Sequence, residues 1–243
     1  MRAPGWTVDL NADLGEGVAD DEALLTVVSS ANVCAGAYAG SLAVTRETMR
    51  RAAEAGVAVG AHVGYPDRRN FGRRTMTLGA VALRETLARQ LDVCLEAAAD
   101  AGTELRYFKP HGALYHDASG SGSVAEVLAA FAKTYRLGLL YQPGTQLSRR
   151  ARDLGVRCVA EGFADRRYQR NGRLVPRGQA GATIDDDDAI VGQALHLIRE
   201  GVDEAAIESL CLHGDHAGAL ARARTLRKAL EREHVFIRTP WLP

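Results

Sequence analysis

The feature that most constrains this chain is an alternation along its whole length. Short apolar runs, each ending in glycine or a polar residue, are separated by longer stretches of helical period. The runs begin at Trp6-Thr7-Val8-Asp9-Leu10, Ala31-Asn32-Val33, Val57-Ala58-Val59, Leu105-Arg106-Tyr107-Phe108, Leu137-Gly138-Leu139-Leu140, Val156-Arg157-Cys158-Val159 and Ser209-Leu210-Cys211-Leu212. Between them, Leu83, Leu87, Leu91, Cys94 and Leu95 recur at helical spacing, as do Ile190, Val191, Ala194, Leu195 and Ile198. A third helix runs from about Ala217 to His234 with Leu220, Ala223, Leu226 and Leu230 in register, and Ser41 and Asp20 stand at N-cap positions.

Repeated strand–helix units require crossover connections, which make the strands parallel and cover the sheet with helices. No Pro- or Ser-rich linker divides the 243 residues, which predicts one domain spanning 1–243. A doubly wound sheet fits the periodicity equally well. The polar residues favour an α/β fold of the (β/α) barrel type with seven strands. Asp13, Asn32, His62, His111, Gln142, Glu161 and His213 each follow a different strand at its C-terminal side, and a barrel gathers those ends at one mouth. The segment from Asp165 to Ala182, rich in Arg and Gly, breaks the rhythm and reads as a long loop over that mouth.

Composition narrows the function. Thirty basic residues balance thirty acidic ones, with a pI near 7.1, which argues against nucleic acid or an anionic membrane as partner. No apolar run approaches the roughly 18–20 residues of a membrane span, and the start lacks the apolar core of a signal peptide. Cys34, Cys94, Cys158 and Cys211 show no CxxC spacing and read as buried thiols, so a cytoplasmic location is expected. No Gly-Lys pair occurs, so the chain has no P-loop; GxSxG and GxGxxG are missing too.

The chemistry-bearing residues cluster at the expected strand ends. Asp9, Asn11 and Asp13 alternate to one side of the first strand, in a stretch that continues through Glu16 and offers a general base or metal ligand. His62 stands between glycines ahead of Arg73 and Arg74, a setting suited to an anion. Lys109 and His111 share a side at the fourth strand end, where an ammonium can stabilise negative charge beside a proton carrier. His213, Asp215 and His216 repeat the pattern at the seventh. Asp13, His62 and His111 also form a one-carboxylate, two-histidine set for a divalent metal with an open position for water. Asp185 to Asp188 reads as a solvated run at a helix N-terminus, and Arg166, Arg167, Arg170, Arg173 and Arg177 as a phosphate or partner contact or a plain solvated loop.

These segments resemble the lactam-utilisation family, that of the 5-oxoprolinase A subunit. The resemblance rests on DLNADLGEG at 9–17, SAN at 30–32, AG at 39–40, GAHVGYPD at 60–67, FGRR at 71–74 and KPHGALY at 109–115. AEGFADRRY at 160–168, LVPRGQAGA at 174–182 and LHGDHAGA at 212–219 complete it. It implies a barrel related to the glycoside hydrolase and polysaccharide deacetylase superfamily. It also implies a hydrolase that opens 5-oxo-L-proline to L-glutamate with ATP as co-substrate, together with the B and C subunits. On that reading Asp13 is base or metal ligand, and His62 and His111 transfer protons or bind the metal. Lys109 and Arg73 face a phosphate or the substrate carboxylate, and Asn11, Asn32, Glu161 and His213 bind substrate. The chain departs from the family at Tyr38, where members commonly carry His, and at Ala35, where they carry Cys. A tyrosine cannot shuttle protons at neutral pH. Two alternatives therefore stand beside the first: a metal-dependent deacetylase or amidohydrolase acting alone, and a non-catalytic subunit.

Overall fold

The computed structural model describes residues 5–18, 21–177, 179–203, 205–213 and 218–242. Strand β1 (Trp6–Leu14) organises the molecule. It pairs in parallel with β2 (Ser30–Cys34), in register Asn11↔Ser30 to Leu14↔Val33, and with β7 (Ser209–Leu212), in register Asp9↔Ser209 to Ala12↔Leu212. Strands β3 (Ala58–Val63), β4 (Leu105–Pro110), β5 (Gly138–Tyr141) and β6 (Cys158–Phe163) follow in sequence order between them. The result is a closed, seven-stranded parallel barrel. An eighth strand not expected from the sequence, β8 (Val235–Ile237), pairs with Trp6–Val8 outside the closed ring. Its three residues are too few to show a period.

Helices α1 (Asp21–Leu25), α2 (Leu42–Glu54), α3 (Ala80–Asp100), α4 (Gly112–Gly120), α5 (Gly122–Tyr135), α6 (Gln146–Asp153), α7 (Asp187–Glu200) and α8 (Ala219–Arg232) supply the crossovers. Along β1 the outward residues Leu10, Ala12 and Leu14 join the apolar core with helix residues such as Met49, Leu87, Leu91 and Leu226. Both faces of β1 are buried beyond Thr7, as expected of a parallel strand between a helix layer and a barrel interior. The inward face is polar: Asp9, Asn11 and Asp13 are all buried.

The lower end of the barrel is closed by Trp241, which packs with Ala58, Tyr107, Leu140 and Val159 and stacks on Tyr107 with ring centroids 4.5 Å apart. Gly60 makes room for this plug, because a Cβ there would lie 2.4 Å from the Tyr107 ring.

Ser41 caps α2 by accepting from the Val44 amide, and Asp186 caps α7 by accepting from Ala189, within the acidic run. Two apolar assignments need correction. Leu95 lies on the outer side of α3 and is 39% exposed, since the buried stripe turns instead through Gln90, Ala97 and Ala98. Cys158, at the start of β6, is only half-buried, whereas the other three thiols are buried and all four are free. Asp20, Asp215, His216 and the expected helix start at Ala217 lie outside the described residues. No helix among the described residues is long and apolar enough to cross a membrane.

Candidate active site

A cavity of about 740 Å³ opens at the C-terminal mouth of the barrel, lined among others by Asp13, His62, Arg73, Lys109, His111 and His213. They come from the ends of β1, β3, β4 and β7 or the segments just beyond, so closure of the sheet brings them together. Loop 165–182 forms one wall through Arg166, Leu174, Pro176 and Arg177. Two isolated antiparallel bridges, Arg166↔Thr183 and Tyr168↔Leu174, shape that loop. The buried Arg166 side chain ties it together by donating to the Val175 and Ala182 carbonyls.

The floor is a set of short polar contacts. Lys109 Nζ lies 3.0 Å from Asp13 Oδ1, 2.8 Å from Glu161 Oε1 and 3.1 Å from Cys211 Sγ. Burial alone would pull the Lys109 ammonium down, but Asp13, Cys211 and Glu161 outweigh it and hold the group well above its ordinary range. It is a fixed cation. Burial likewise favours a neutral Asp13, yet His62 and Lys109 overcome it and keep the carboxyl well below the usual carboxylate range. Such a carboxylate serves better as ligand or orienting anion than as a proton acceptor.

Asn11, Asn32 and Glu161 do not line the cavity; they form the layer beneath it. Asn32 Nδ2 donates to Asn11 Oδ1 and Asp13 Oδ1, and its carbonyl oxygen accepts from the Tyr107 hydroxyl. Asn11 Nδ2 donates to Glu161 Oε1 and Ser209 Oγ, while Tyr115 donates to Glu161 Oε2. These residues hold Asp13 and Lys109 in place. Gln142, grouped with them by sequence, instead donates to the Gly172 carbonyl and anchors the mouth loop. At the deepest level Asp9 accepts from Ser29, Ser30 and Ser209, and burial, partly offset by these bonds, pushes its carboxyl up to about 6.

The imidazoles are constrained by backbone carbonyls. His62 Nδ1 faces the Lys109 carbonyl at 3.1 Å, and His111 Nε2 faces the Phe71 carbonyl at 2.9 Å. A carbonyl only accepts, so those nitrogens carry the ring hydrogens. In the neutral rings, His62 Nε2 and His111 Nδ1 then present lone pairs to one another at 3.0 Å, with Asp13 Oδ2 at 3.2 Å from the former. Facing acceptors of this kind are satisfied by a positive species between them. The pattern also matches metal-binding histidines, whose distal N–H is held by a carbonyl. Asp13, His62 and His111 therefore fit a divalent cation: their ligand atoms all lie within 4.8 Å of one another. Burial, and then the neighbouring His62, drives His111 well below the ordinary imidazole range, which preserves its lone pair.

Four contributors were not singled out by the sequence reading of the site, though Glu16 stood within its 9–17 stretch. Glu16 reaches 3.4 Å from His111 Nδ1. Asp165 accepts from the His213 backbone N–H and lies 3.0 Å from His213 Nδ1, orienting that imidazole beside Phe163. His116 lines the cavity, with its pKa lowered by burial and by Arg166 and Arg177. Cys211 touches Lys109. The signals were present for two of them, in the GEG turn and in the FADRRY stretch.

With this geometry in view, the whole-chain comparisons are decisive. The LamB/YcsF family matches residues 8–241. This chain belongs to the LamB/YcsF family. It is 44% identical over 248 residues to the A subunit of 5-oxoprolinase from Streptomyces avermitilis, covering 95% of this chain and 98% of that one. Among solved structures it is similar to the lactam utilization protein from Thermus thermophilus, with a TM-score of 0.88 and 36% identity over 96% of this chain and 99% of that one. A T48 deacetylase shares the fold alone, at a TM-score of 0.52 and 14% identity over 96% and 87% of the two chains. Tyr38, where the sequence reading expects a histidine, is buried behind His111 rather than in the cavity.

Proposed function

We propose that this LamB/YcsF member is the A subunit of a cytoplasmic, ATP-dependent 5-oxoprolinase that opens 5-oxo-L-proline to L-glutamate with the B and C subunits. The observation that carries this reading is the meeting of Asp13, His62, Lys109 and His111 on one cavity floor. The chain-long likeness to a 5-oxoprolinase A subunit gives that floor its context.

A five-membered lactam is a stable amide. Phosphoryl transfer from ATP to its oxygen releases ADP and makes the ring carbon electrophilic; one water adds there, the C–N bond breaks to leave γ-glutamyl phosphate, and a second water releases phosphate and glutamate. The chain has no P-loop, which makes sense if the partner subunits help supply the nucleotide site. Arg73 and Arg177, on the cavity wall, bind the carboxylate and phosphoryl oxygens. Lys109 stabilises negative charge developing at the ring carbonyl carbon's oxygens. His213, oriented by Asp165, delivers a proton to the departing ring nitrogen. A divalent cation held by Asp13, His62 and His111 would polarise the reacting oxygen and activate water.

Reconstitution tests the reading. Purified chain, the B and C subunits, ATP and 5-oxoproline together release glutamate, and omission of any component abolishes it. Asp13→Asn in the full mixture lowers the rate by roughly 10²-fold or more. Undiminished glutamate release by Asp13→Asn, or none from the complete wild-type mixture, overturns the assignment.

A further inference from the structure

We infer that Glu16 is the fourth ligand of the cation site formed by Asp13, His62 and His111, and that Tyr38 is the positioning residue that sets it. The inference rests on the proposed cation site, and its test separates the two.

Glu16 follows β1 at the turn where Gly15 and Gly17 both adopt positive φ, so the backbone swings its side chain back over the cavity floor. The side chain is only 4% exposed, and Oε1 lies 3.4 Å from His111 Nδ1 and 4.0 Å from His62 Nε2. These are the two nitrogens whose lone pairs are directed away from backbone carbonyls. With bond lengths of about 2.0–2.2 Å, ligand atoms around a tetrahedral ion stand about 3.4 Å apart. The His62–His111, His62–Asp13, His111–Glu16 and His62–Glu16 separations of 3.0, 3.2, 3.4 and 4.0 Å bracket that value. Two imidazole nitrogens with two carboxylate oxygens select a first-row divalent ion such as zinc or cobalt over calcium or magnesium, which prefer all-oxygen shells.

Tyr38 acts on this set from outside the cavity. Its hydroxyl donates to Glu16 Oε1 at 3.2 Å, and its ring lies flat on His111 at 3.8 Å with planes 9° apart. The tyrosine fits where Gly64 and Gly72 lack side chains, since a Cβ at either would stand 2.8 Å or 3.1 Å from it. A phenol titrates at about 10, so Tyr38 is a neutral donor at physiological pH. One side chain thus sets both the carboxylate oxygen and the imidazole plane. Proton shuttling is not required of it.

The test uses the full chain stripped of metal with dipicolinate, then titrated with Zn²⁺ by calorimetry and with Co²⁺ by visible absorption. The wild type takes up one equivalent. Glu16→Gln weakens binding by more than tenfold and shifts the cobalt band. Tyr38→Phe weakens it by about tenfold, the size of effect seen for outer-shell partners, while the melting temperature of the metal-free chain stays within a degree or so of wild type. Wild-type affinity and an unshifted band in Glu16→Gln overturn Glu16 as ligand while leaving the three-residue site intact. Unchanged affinity in Tyr38→Phe overturns the positioning role, and this arm holds even if Glu16→Gln does not fold. A wild type that takes up no ion overturns both the inference and the cation site beneath it.

Discussion

Lys109 neutralises two buried carboxylates at once, Asp13 and Glu161, so its loss strands both. Lys109→Met is expected to destabilise the chain by about 3–5 kcal/mol in denaturant melts, the cost of removing one partner from a buried ionic set. Asp9 provides a pH signature of its own. Its carboxyl titrates near 3.8 when unfolded and about 6 in the folded chain, so between those values the folded state holds a proton that the unfolded state lacks. Stability contributed by this group therefore falls as pH rises from 3.8 to about 6 and is level above that window. Asp9→Asn removes the slope, and the variant should gain about 3 kcal/mol relative to wild type across the window, read from paired urea melts at several pH values. At this scale the sequence was a partial guide. Asp13, His62, Lys109 and His111 could be located because they cluster at the C-terminal ends of three strands, β1, β3 and β4. That Asn11, Asn32 and Glu161 serve as an underlying scaffold depends on barrel depth, which strand periodicity does not encode.

Elements carry the site through their register. The β1–β2 pairing Asp13↔Asn32 and the β3–β4 pairing His62↔Lys109 set the floor contacts directly, and Asn32 is in turn held by Tyr107 above the Trp241 plug. Gly60→Ala pushes a methyl into the Tyr107 ring and should cost about 1–3 kcal/mol by thermal melts. Trp241→Ala opens the lower end of the barrel, with an expected loss of about 3–5 kcal/mol. The strand and helix alternation was legible because parallel strands and amphipathic helices write their periods into apolar spacing. Leu95 misled because helical spacing alone admits it to the stripe while the neighbouring Gln90 and Ala98 fill the buried face instead. The Asp165–Ala182 loop was visible as an interruption, but its internal bridges, Arg166↔Thr183 and Tyr168↔Leu174, follow no local period.

For the molecule as a whole, closure is the organising event. β1 is paired along one edge with β7 over Asp9–Ala12 and along the other with β2 over Asn11–Leu14, whereas β8 joins only Trp6–Val8. Hydrogen exchange should follow this: amides of Leu10–Ala12 exchange last and those of Val235–Ile237 earlier, measured by peptide-resolved deuterium uptake. Equal protection of the two segments would contradict it. The contact that seals the ring, Asp9 to Ser209, spans a sequence separation of 200 residues. On the ribosome, then, β1 must wait for β7, 200 residues later, before that edge is satisfied. Asp13 spends that interval on an unfinished rim, where long-range pairing is slow and a chaperone has the most to guard.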